Sequence, residues 1–277
     1  MSKILEKLGI EIPESAVPII REMRNSVNIV GLSGGKDSTS TCILMHLLDI
    51  PFKTVTAEVM WKKDISGEHP YHYDWFHGTL IPALQKWGIK TDIIHSKITA
   101  FEYMTTPIKA STKHPERVGK LRGFPICGSC GVQRDCKSRP CEQYYRKHPR
   151  PYTVVTGIAG DEDARLVSNM VNNRTSILEA LKLREHKAFP ICAAFGLISP
   201  VYSFSNRNGC WFCPNQKIQE FELLYREFPH LWDELMEIQK MPNKVTELFN
   251  RTQTLYDIEK QIKSGVQIKL FTGDFYR

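Results

Sequence analysis

The sequence has 277 residues, of which 42% are hydrophobic and 24% charged, and its formal net charge is +7. This composition is ordinary for a globular protein and excludes a chain that is disordered, collagenous or coiled-coil over its whole length. No apolar run reaches the roughly 18 residues of a membrane span, and the N-terminal residues lack the pattern of a cleavable signal. We therefore expect a cytoplasmic protein with no membrane partner.

Taken in chain order, the sequence starts with a helical lead-in over residues 1–24 and then alternates apolar, β-rich runs with amphipathic helices. The strands are predicted at residues 27–32, 52–60, 91–95, 151–157 and 197–204, and the first two helices at residues 37–49 and 75–87. This alternation predicts an α/β fold with a parallel five-stranded sheet flanked by helices. Ligands of such sheets bind at the carboxyl ends of the strands.

The predicted organisation is a lead-in (1–24), an α/β nucleotide-binding domain (25–205), and a region with a cysteine pair and C-terminal helices (206–277). Within the α/β domain, residues 107–150 are too long for a simple connection and predict an inserted segment. This segment holds eleven Lys or Arg residues, three Asp or Glu residues and four of the eight cysteines. Such a basic segment indicates a polyanionic partner, unless it is merely a solvated loop.

A glycine-containing turn, Ser33-Gly34-Gly35-Lys36-Asp37-Ser38, joins the first predicted strand to the next helix. Two adjacent glycines let the backbone approach an anion, and the helix N-terminus attracts negative charge. Ser33 and Ser38 supply hydroxyl donors, Lys36 supplies a cation, and Asp37 would hold Mg²⁺ or orient the turn. The spacing differs from that of the G-x-x-x-x-G-K-[ST] loop. The alternative is a tight turn that only caps the helix.

The SGGKDS segment resembles the signature loop of the ATP pyrophosphatase (PP-loop) superfamily. This resemblance implies the adenine nucleotide alpha hydrolase-like fold, binding of ATP with Mg²⁺, and cleavage of ATP between its α- and β-phosphates to give an adenylated substrate. It further implies that residues 33–38 grip the pyrophosphate portion, that Lys36 and Asp37 take part in catalysis, and that the adenine lies near the end of the second strand, around Val59 and Met60.

Two further segments resemble the phosphoadenosine phosphosulfate reductase branch of that superfamily. After the fourth strand, Gly157 and Glu162 match the pattern G-x-R-x-x-E-S-x-x-R, and Arg165 lies one residue before the position of its last Arg, whereas Ala159 and Asp163 replace its first Arg and its Ser. The match implies that Asp161 and Glu162 bind a metal or a ribose and that Arg165 meets a phosphate. Without the resemblance, this stretch is a loop with a helix N-cap.

The second of these segments, residues 134–140, is similar to the R-D-L-K-x-x-P stretch of the same branch. The similarity implies that Lys137 and Arg139 face the phosphate of a nucleotide or substrate. Their alternative is a solvated basic loop.

Six of the eight cysteines fall in two clusters. Cys127 and Cys130 form one C-x-x-C pair, followed by Cys136 and Cys141, and Cys210 and Cys213 form a second pair. Two such pairs in a reducing compartment favour one four-thiolate site, which holds either an iron–sulfur cluster or zinc, with free or redox-active thiols as a third alternative. The simplest ligand set is Cys127, Cys130, Cys210 and Cys213.

The other cysteines have separate predicted roles. In an alternative ligand set, Cys136 or Cys141 takes the place of Cys127. Otherwise one of these two cysteines would act as a sulfur-carrying nucleophile. Cys42 and Cys192 are expected to be inert core residues. A resemblance to the tRNA 2-thiocytidine synthetases, to bacterial adenylyl-sulfate reductases and to the DNA phosphorothioation protein of this branch favours a 4Fe-4S cluster over zinc.

These features together predict an ATP-dependent sulfurtransferase that thiolates a nucleic acid (RNA or DNA) or nucleotide acceptor and releases AMP and pyrophosphate. Its partners would be ATP, the acceptor, and a sulfur donor protein or sulfide. Tyr144 and Tyr145, among the basic residues of the insertion, are expected to help grip the nucleic acid. One alternative is a sulfonucleotide reductase. Those enzymes use a reactive cysteine in a C-terminal tail, whereas no cysteine follows Cys213 in this sequence. Another is a zinc-stabilised nucleotide-binding module without catalysis.

Overall fold

The computed structural model describes residues 2–126 and 130–264. Within these ranges the chain forms two compact units, each assembled from separate segments. The first unit consists of residues 2–57, 71–94 and 141–200. The second consists of residues 58–70, 95–126, 130–140 and 201–264.

The strands and helices of the described residues are numbered in chain order. The strands are β1 (Asn28–Gly31), β2 (Phe52–Glu58), β3 (Met60–Lys62), β4 (Ile65–Ser66), β5 (Thr91–His95), β6 (Thr153–Val155) and β7 (Arg174–Thr175). The helices are α1 (Ser2–Lys7), α2 (Ala16–Arg24), α3 (Lys36–Leu47), α4 (Pro70–Trp75), α5 (Ile81–Lys86), α6 (Ala100–Thr105), α7 (Arg139–Arg146), α8 (Asp163–Val171), α9 (Ile177–Ala180), α10 (Ala188–Ala194), α11 (Ile218–Glu227), α12 (Pro229–Lys240) and α13 (Leu255–Lys263). Phe76–Leu80 and Gln133–Ser138 are π-helical.

The first unit is built on a five-stranded, all-parallel sheet with the strand order β5-β2-β1-β6-β7. Successive side chains of a strand point to opposite faces of the sheet. On the central strand β1, both faces are covered by other residues. Ile29 packs on one face with Val55, Val154 and the Tyr145 ring. Val30 lies in the larger core on the other face, which includes residues from α2, α3, α5, α9 and α10.

Helix α3 is the central helix of this larger core. Its residues from Ser38 to Met45 are buried, including small hydroxyl residues as well as Ile43 and Leu44. Ser40 and Thr41 donate their hydroxyl hydrogens to the carbonyl oxygen of Asp37, at 3.0 and 2.8 Å, so these buried hydroxyl groups are paired. The result is a helix without a solvated face that starts directly at the glycine turn.

The second unit has its own hydrophobic core. Trp61 on β3 and Trp211 are fully buried and their rings lie 4.7 Å apart. Apolar residues of α6, α11, α12 and α13 complete this core, with Phe221 and Leu235 among the most buried. Strands β3 and β4 form a separate antiparallel pair within this unit.

The structure confirms the predicted fold class, an α/β protein with a parallel five-stranded sheet flanked by helices and with C-terminal helices. The strand predicted at residues 91–95 is present with the same bounds. The run at residues 52–60 is shorter than predicted, because β2 ends at Glu58 and Met60 belongs to β3.

The fifth strand was predicted in the wrong place. Residues 197–204 contain a 3₁₀ turn at Pro200–Ser203, and the fifth strand of the sheet is β7. In the run at 197–204, Leu197, Ser199 and Val201 are buried without pairing in the sheet. Strand β7 has only two residues and is too short to give a periodic signal. A cysteine-rich insertion over residues 107–150 is also not confirmed, since its last ten residues belong to the first unit and the rest of its described residues to the second.

Candidate functional site

The predicted phosphate-binding turn lies at the switch point of the sheet. The chain moves outward from β1 to β2 and β5 on one side, and then crosses to β6 and β7 on the other. Ligands of open parallel sheets bind beside the strand ends at such a reversal. Residues 33–38 follow β1, and Gly157 follows β6, so both segments that the sequence marks for nucleotide binding lie at this point.

The turn itself has the backbone geometry that an anion site requires. Gly34 has φ of +69°, a conformation in which a side chain would be strained. Gly35 precedes α3 in an extended conformation, and Lys36 starts the helix. The first N–H groups of a helix have no partner within the helix, and with the helix dipole they favour a bound phosphate.

Two serines tie the ends of the turn together. The Ser38 hydroxyl donates to the carbonyl oxygen of Gly35 at 3.1 Å. It therefore accepts the Ser33 N–H, at 3.2 Å, and the Ser33 hydroxyl, at 3.1 Å. Ser33 in turn accepts the N–H of Gly35 at 3.3 Å. These bonds hold the turn in a closed shape before any ligand arrives.

Lys36 is paired with two carboxylates. Its Nζ lies 3.0 Å from Asp37 Oδ2 and 2.7 Å from Glu185 Oε1. Burial by itself would lower the pKa of Lys36, but hydrogen bonds to Glu185 and Asp37 outweigh it and raise the pKa above its usual value. Burial raises the pKa of Asp37, and Lys36 only partly opposes this effect. The ammonium group therefore stays charged at neutral pH.

Gly157 lies against the backbone of the turn. A Cβ atom at this position would lie 2.6 Å from the carbonyl carbon of Asp37 and 2.6 Å from the N atom of Ser38. Only glycine permits this approach between the end of β6 and the start of α3. Gly157, the first residue of the G-x-R-x-x-E-S-x-x-R match, thus lets the end of β6 lie against the phosphate-binding turn.

The other residues of the second match are engaged with one another or with the same network. Asp161 Oδ1 accepts the N–H of Glu185 at 2.9 Å and so positions the partner of Lys36. Glu162 accepts the N–H of Ala159 at 2.9 Å and forms an ion pair with Arg165. The structure therefore brings Asp161 to the turn through Glu185, whereas Arg165 is paired within its own helix.

Sequence reasoning missed three residues that contact this turn. Glu185 pairs with Lys36, His72 bonds to the backbone of Ser33, and Cys192 donates its thiol to the carbonyl oxygen of Lys36 at 3.2 Å. All three are distant in sequence from residues 33–38 and belong to no motif. Cys42 and Cys192 are fully buried, which confirms the prediction that they are core residues.

The second unit contains three of the four predicted cysteine ligands, while Cys127 lies outside the described residues. Cys130, Cys210 and Cys213 form no disulfide within the described residues. Burial raises the pKa of Cys210 to about 12; Lys137 opposes this shift, whereas Glu68 and the thiols of Cys213 and Cys130 add to it. Cys130 is therefore near enough to Cys210 to affect its thiol.

Two of these cysteines, Cys130 and Cys213, accept hydrogen bonds at their sulfur atoms. Arg207 Nη2 donates to Cys213 Sγ at 3.4 Å, and the N–H of Gln133 donates to Cys130 Sγ at 3.5 Å. Such donors stabilise thiolate ligands of metals. In residues 2–126 and 130–264, however, no three or more His, Cys, Asp and Glu side chains are grouped as a metal site. The described thiols alone do not make a coordination sphere.

A small pocket adjoins the second cysteine pair. Its lining includes Arg207, Cys210, Cys213, Gln216 and Glu220, so it combines two thiols with charged and amide groups. All of these residues belong to the second unit.

The remaining predicted residues of the second unit have other partners. Lys137 is 2.8 Å from Glu68, and Arg139 is 2.7 Å from Asp135, so both cations are paired. Cys136 is 1% exposed, its thiol donates to the carbonyl oxygen of Ile98 at 3.6 Å, and burial raises its pKa to about 11. These properties count against a nucleophile, and that role of Cys136 stays a prediction.

The two tyrosines expected to grip nucleic acid are turned inward in the first unit. Tyr145 is 7% exposed and packs on the sheet with Ile29. The Tyr144 hydroxyl donates to Asp92, and Lys53 Nζ lies 5.3 Å from the centre of the Tyr144 ring. The buried Tyr145 ring is therefore not presented for stacking with a base, and the half-buried Tyr144 ring is held by its bond to Asp92.

The chain matches no known protein family, and no curated protein sequence is significantly similar to it. None of the helices in the described ranges combines the length and the apolar character of a membrane span.

Proposed function

We propose that this protein is an ATP pyrophosphatase-type enzyme that adenylates a nucleic acid or nucleotide acceptor and then transfers sulfur to it. The observation that supports the proposal most strongly is the turn at residues 33–38, with its positive-φ Gly34 and its helix N-terminus, at the switch point of a parallel sheet. Within the first unit this turn combines backbone donors, two serine hydroxyls and a lysine, which suits the β- and γ-phosphates of ATP.

In the first step, an oxygen of the acceptor attacks the α-phosphorus of ATP. The bond from that phosphorus to the bridging oxygen breaks, and pyrophosphate leaves with the electron pair. Negative charge grows on the leaving group, so donors fixed in advance around it stabilise the transition state. In this proposal, Lys36 and the N–H groups of the turn supply that stabilisation, and Asp37 holds the Mg²⁺ that accompanies the nucleotide.

In the second step, a sulfur nucleophile from a donor protein or from sulfide attacks the activated carbon. The carbon–oxygen bond breaks and AMP leaves. We assign Gly157, Asp161, Glu162 and Arg165, which all belong to the first unit, to the nucleotide side of the reaction. The thiols of Cys127, Cys130, Cys210 and Cys213 and the candidate carrier Cys136 belong to the sulfur side.

The proposal is tested by product analysis with radiolabelled ATP and candidate RNA, DNA and nucleotide acceptors. We expect AMP and pyrophosphate, formed only when an acceptor is present. Lys36→Ala should lower their formation at least a hundredfold, because it removes the cation beside the leaving group. Lys86→Ala, which removes an exposed lysine of the same unit, should leave the rate within about twofold. Release of ADP and phosphate would refute cleavage between the α- and β-phosphates.

A separate experiment tests the role of the thiols. We expect protein purified without oxygen to be brown and to contain iron and acid-labile sulfide, and both should be lost in Cys210→Ser and Cys127→Ser. The control is Cys42→Ala, a buried cysteine of the first unit, which should retain the metal. A colourless protein with one zinc ion per chain would replace the cluster by a structural zinc site. Protein without stoichiometric metal would overturn both the iron–sulfur cluster and the zinc site.

A further inference from the structure

The residue beneath the phosphate-binding turn is a buried histidine. His72, on α4, is 2% exposed. Its Nε2 lies 3.2 Å from the carbonyl oxygen of Ser33, and its Nδ1 lies 2.9 Å from the hydroxyl oxygen of Ser199. The three residues belong to the first unit and come from three separate segments of it. The ring therefore links the turn to a distant part of the same unit.

The chemistry of the two partners fixes the proton on the ring. A carbonyl oxygen can only accept a hydrogen bond, so Nε2 of His72 must carry hydrogen and donate it to Ser33. In the neutral ring Nδ1 then has a lone pair, and the Ser199 hydroxyl donates to it. Ser199 thus holds the tautomer that His72 needs in order to bind the turn, in the way that a second partner orients many functional histidines.

This bond also sets the direction of an N–H group in the turn. The C=O of Ser33 and the N–H of Gly34 belong to one peptide unit, and in a trans peptide they point in opposite directions. Because His72 binds the carbonyl oxygen from beneath, the N–H of Gly34 points away from the ring. A peptide flipped the other way would present a carbonyl oxygen to a phosphate and would repel it.

The contact between the ring and Gly34 is close. A Cβ atom on Gly34 would lie 2.7 Å from His72 Cε1 and 2.7 Å from Phe76 Cδ2. The glycine thus rests directly on the imidazole and on the neighbouring phenyl ring. The hydrogen bond from His72 and the close contact at Gly34 together hold the Ser33–Gly34 peptide in one orientation.

We propose that His72, held in one tautomer by Ser199, is a positioning residue that orients the Ser33–Gly34 peptide for phosphate binding. The proposal deepens the function given above and rests on it. His72 does not touch the nucleotide; it acts through the backbone of the turn. The sequence gives no motif for this role, since His72 and Ser199 lie 39 and 166 residues from Ser33.

The test compares two replacements of His72 that differ in one donor. His72→Gln places an amide N–H where it can still reach the Ser33 carbonyl oxygen, and His72→Phe keeps an aromatic ring without that donor. We expect the Kd of a nonhydrolysable ATP analogue to rise at least tenfold in His72→Phe and less than threefold in His72→Gln. His77→Phe, a change on the π-helical stretch that follows α4, is the matched control and should leave the Kd unchanged. Thermal unfolding of each variant shows whether its fold is retained.

A double-mutant cycle with Ser199→Ala tests the tautomer. This change should weaken binding of the analogue about threefold when His72 is present. It should have no effect in the His72→Phe background, where no ring nitrogen remains to be held. A merely structural role of His72 would instead lower the thermal stability of both His72 variants and leave the Kd of the two within twofold of each other.

The outcomes separate this inference from the proposed function. If the unaltered protein fails to bind the ATP analogue, the proposed function is wrong and the inference falls with it. If the unaltered protein binds the analogue, Lys36→Ala abolishes binding and His72→Phe binds as tightly as His72→Gln, then only the inference is wrong.

Discussion

Lys36 shows how a single residue of the turn is prepared for an anion. Its ammonium group is held by Asp37 and Glu185, so a phosphate must compete with these carboxylates for it. The raised pKa of Lys36 means that this pairing stabilises the fold from neutral pH up to the ordinary lysine pKa. On the alkaline side that stabilisation is lost as the pH rises through the raised value. At neutral pH the ammonium group of Lys36 is protonated, so a phosphate competes only with the carboxylates of Asp37 and Glu185 that pair with it.

Removing the charge of Glu185 should strengthen phosphate binding. In Glu185→Gln the ammonium of Lys36 loses one of its carboxylate partners, so we expect the Kd of pyrophosphate or an ATP analogue to fall about threefold to tenfold at low ionic strength. Isothermal titration calorimetry gives the value, and Glu14→Gln, which removes an exposed charge of the same unit, is the control. Weaker binding in Glu185→Gln would show that Glu185 assists the ligand, for example through its metal ion.

At the scale of elements, the aromatic and the basic residues at the end of α7 are neighbours in sequence but differ in exposure. Tyr145 faces the sheet and is nearly buried, whereas Arg146 and Lys147, at the end of the helix, are exposed. An aromatic pair among basic residues is typical of nucleic-acid binding, but here Tyr145 is buried and Tyr144 is half-buried, whereas the two cations are exposed. Binding through this helix would thus be electrostatic.

We expect Arg146→Ala combined with Lys147→Ala to weaken binding of single-stranded oligonucleotides and to reduce the salt dependence. The slope of log K against log salt should fall by about one to two, because each lost phosphate contact removes the release of about 0.7 counterion. Fluorescence anisotropy over a series of salt concentrations measures both effects. Lys3→Ala combined with Lys7→Ala, on the exposed side of α1, should change neither. An unchanged slope in the α7 variant would place nucleic-acid binding elsewhere.

For the whole molecule, the important feature is that each unit has a hydrophobic core of its own. Leu44 belongs to the core of the first unit and Phe221 to that of the second, and both are buried. The turn that we propose to bind ATP belongs to the first unit. A ligand stabilises the part of a protein that it binds, so ATP should stabilise this unit.

Calorimetry should show two unfolding transitions, as is common for proteins with more than one core. Leu44→Ala should lower one transition and Phe221→Ala the other, each by about 2–5 kcal/mol of unfolding free energy. An ATP analogue with Mg²⁺ should raise only the transition that Leu44→Ala lowers. A single transition that both variants lower would show that the cores unfold together, and a shift of the Phe221 transition alone would contradict ATP binding at the turn.

The sequence by itself determined the α/β class and most of the strands. It also determined the placement of residues 33–38 between a strand and a helix. These features depend on local patterns: apolar periodicity for β1 and α3, and two adjacent glycines for the turn. Gly157 was also found from sequence, through its match to a motif. Its physical role, a close approach to the backbone of Asp37, became visible only in the fold.

Only the tertiary structure decided which distant residues meet. Glu185 reaches Lys36, and His72 and Ser199 meet at Ser33, because the order of the strands brings their segments together. Tertiary packing also turned Tyr145 inward and left residues 197–204 out of the sheet. Local sequence specifies which elements form, whereas burial of side chains and hydrogen bonding of buried polar groups depend on all the elements that pack around them.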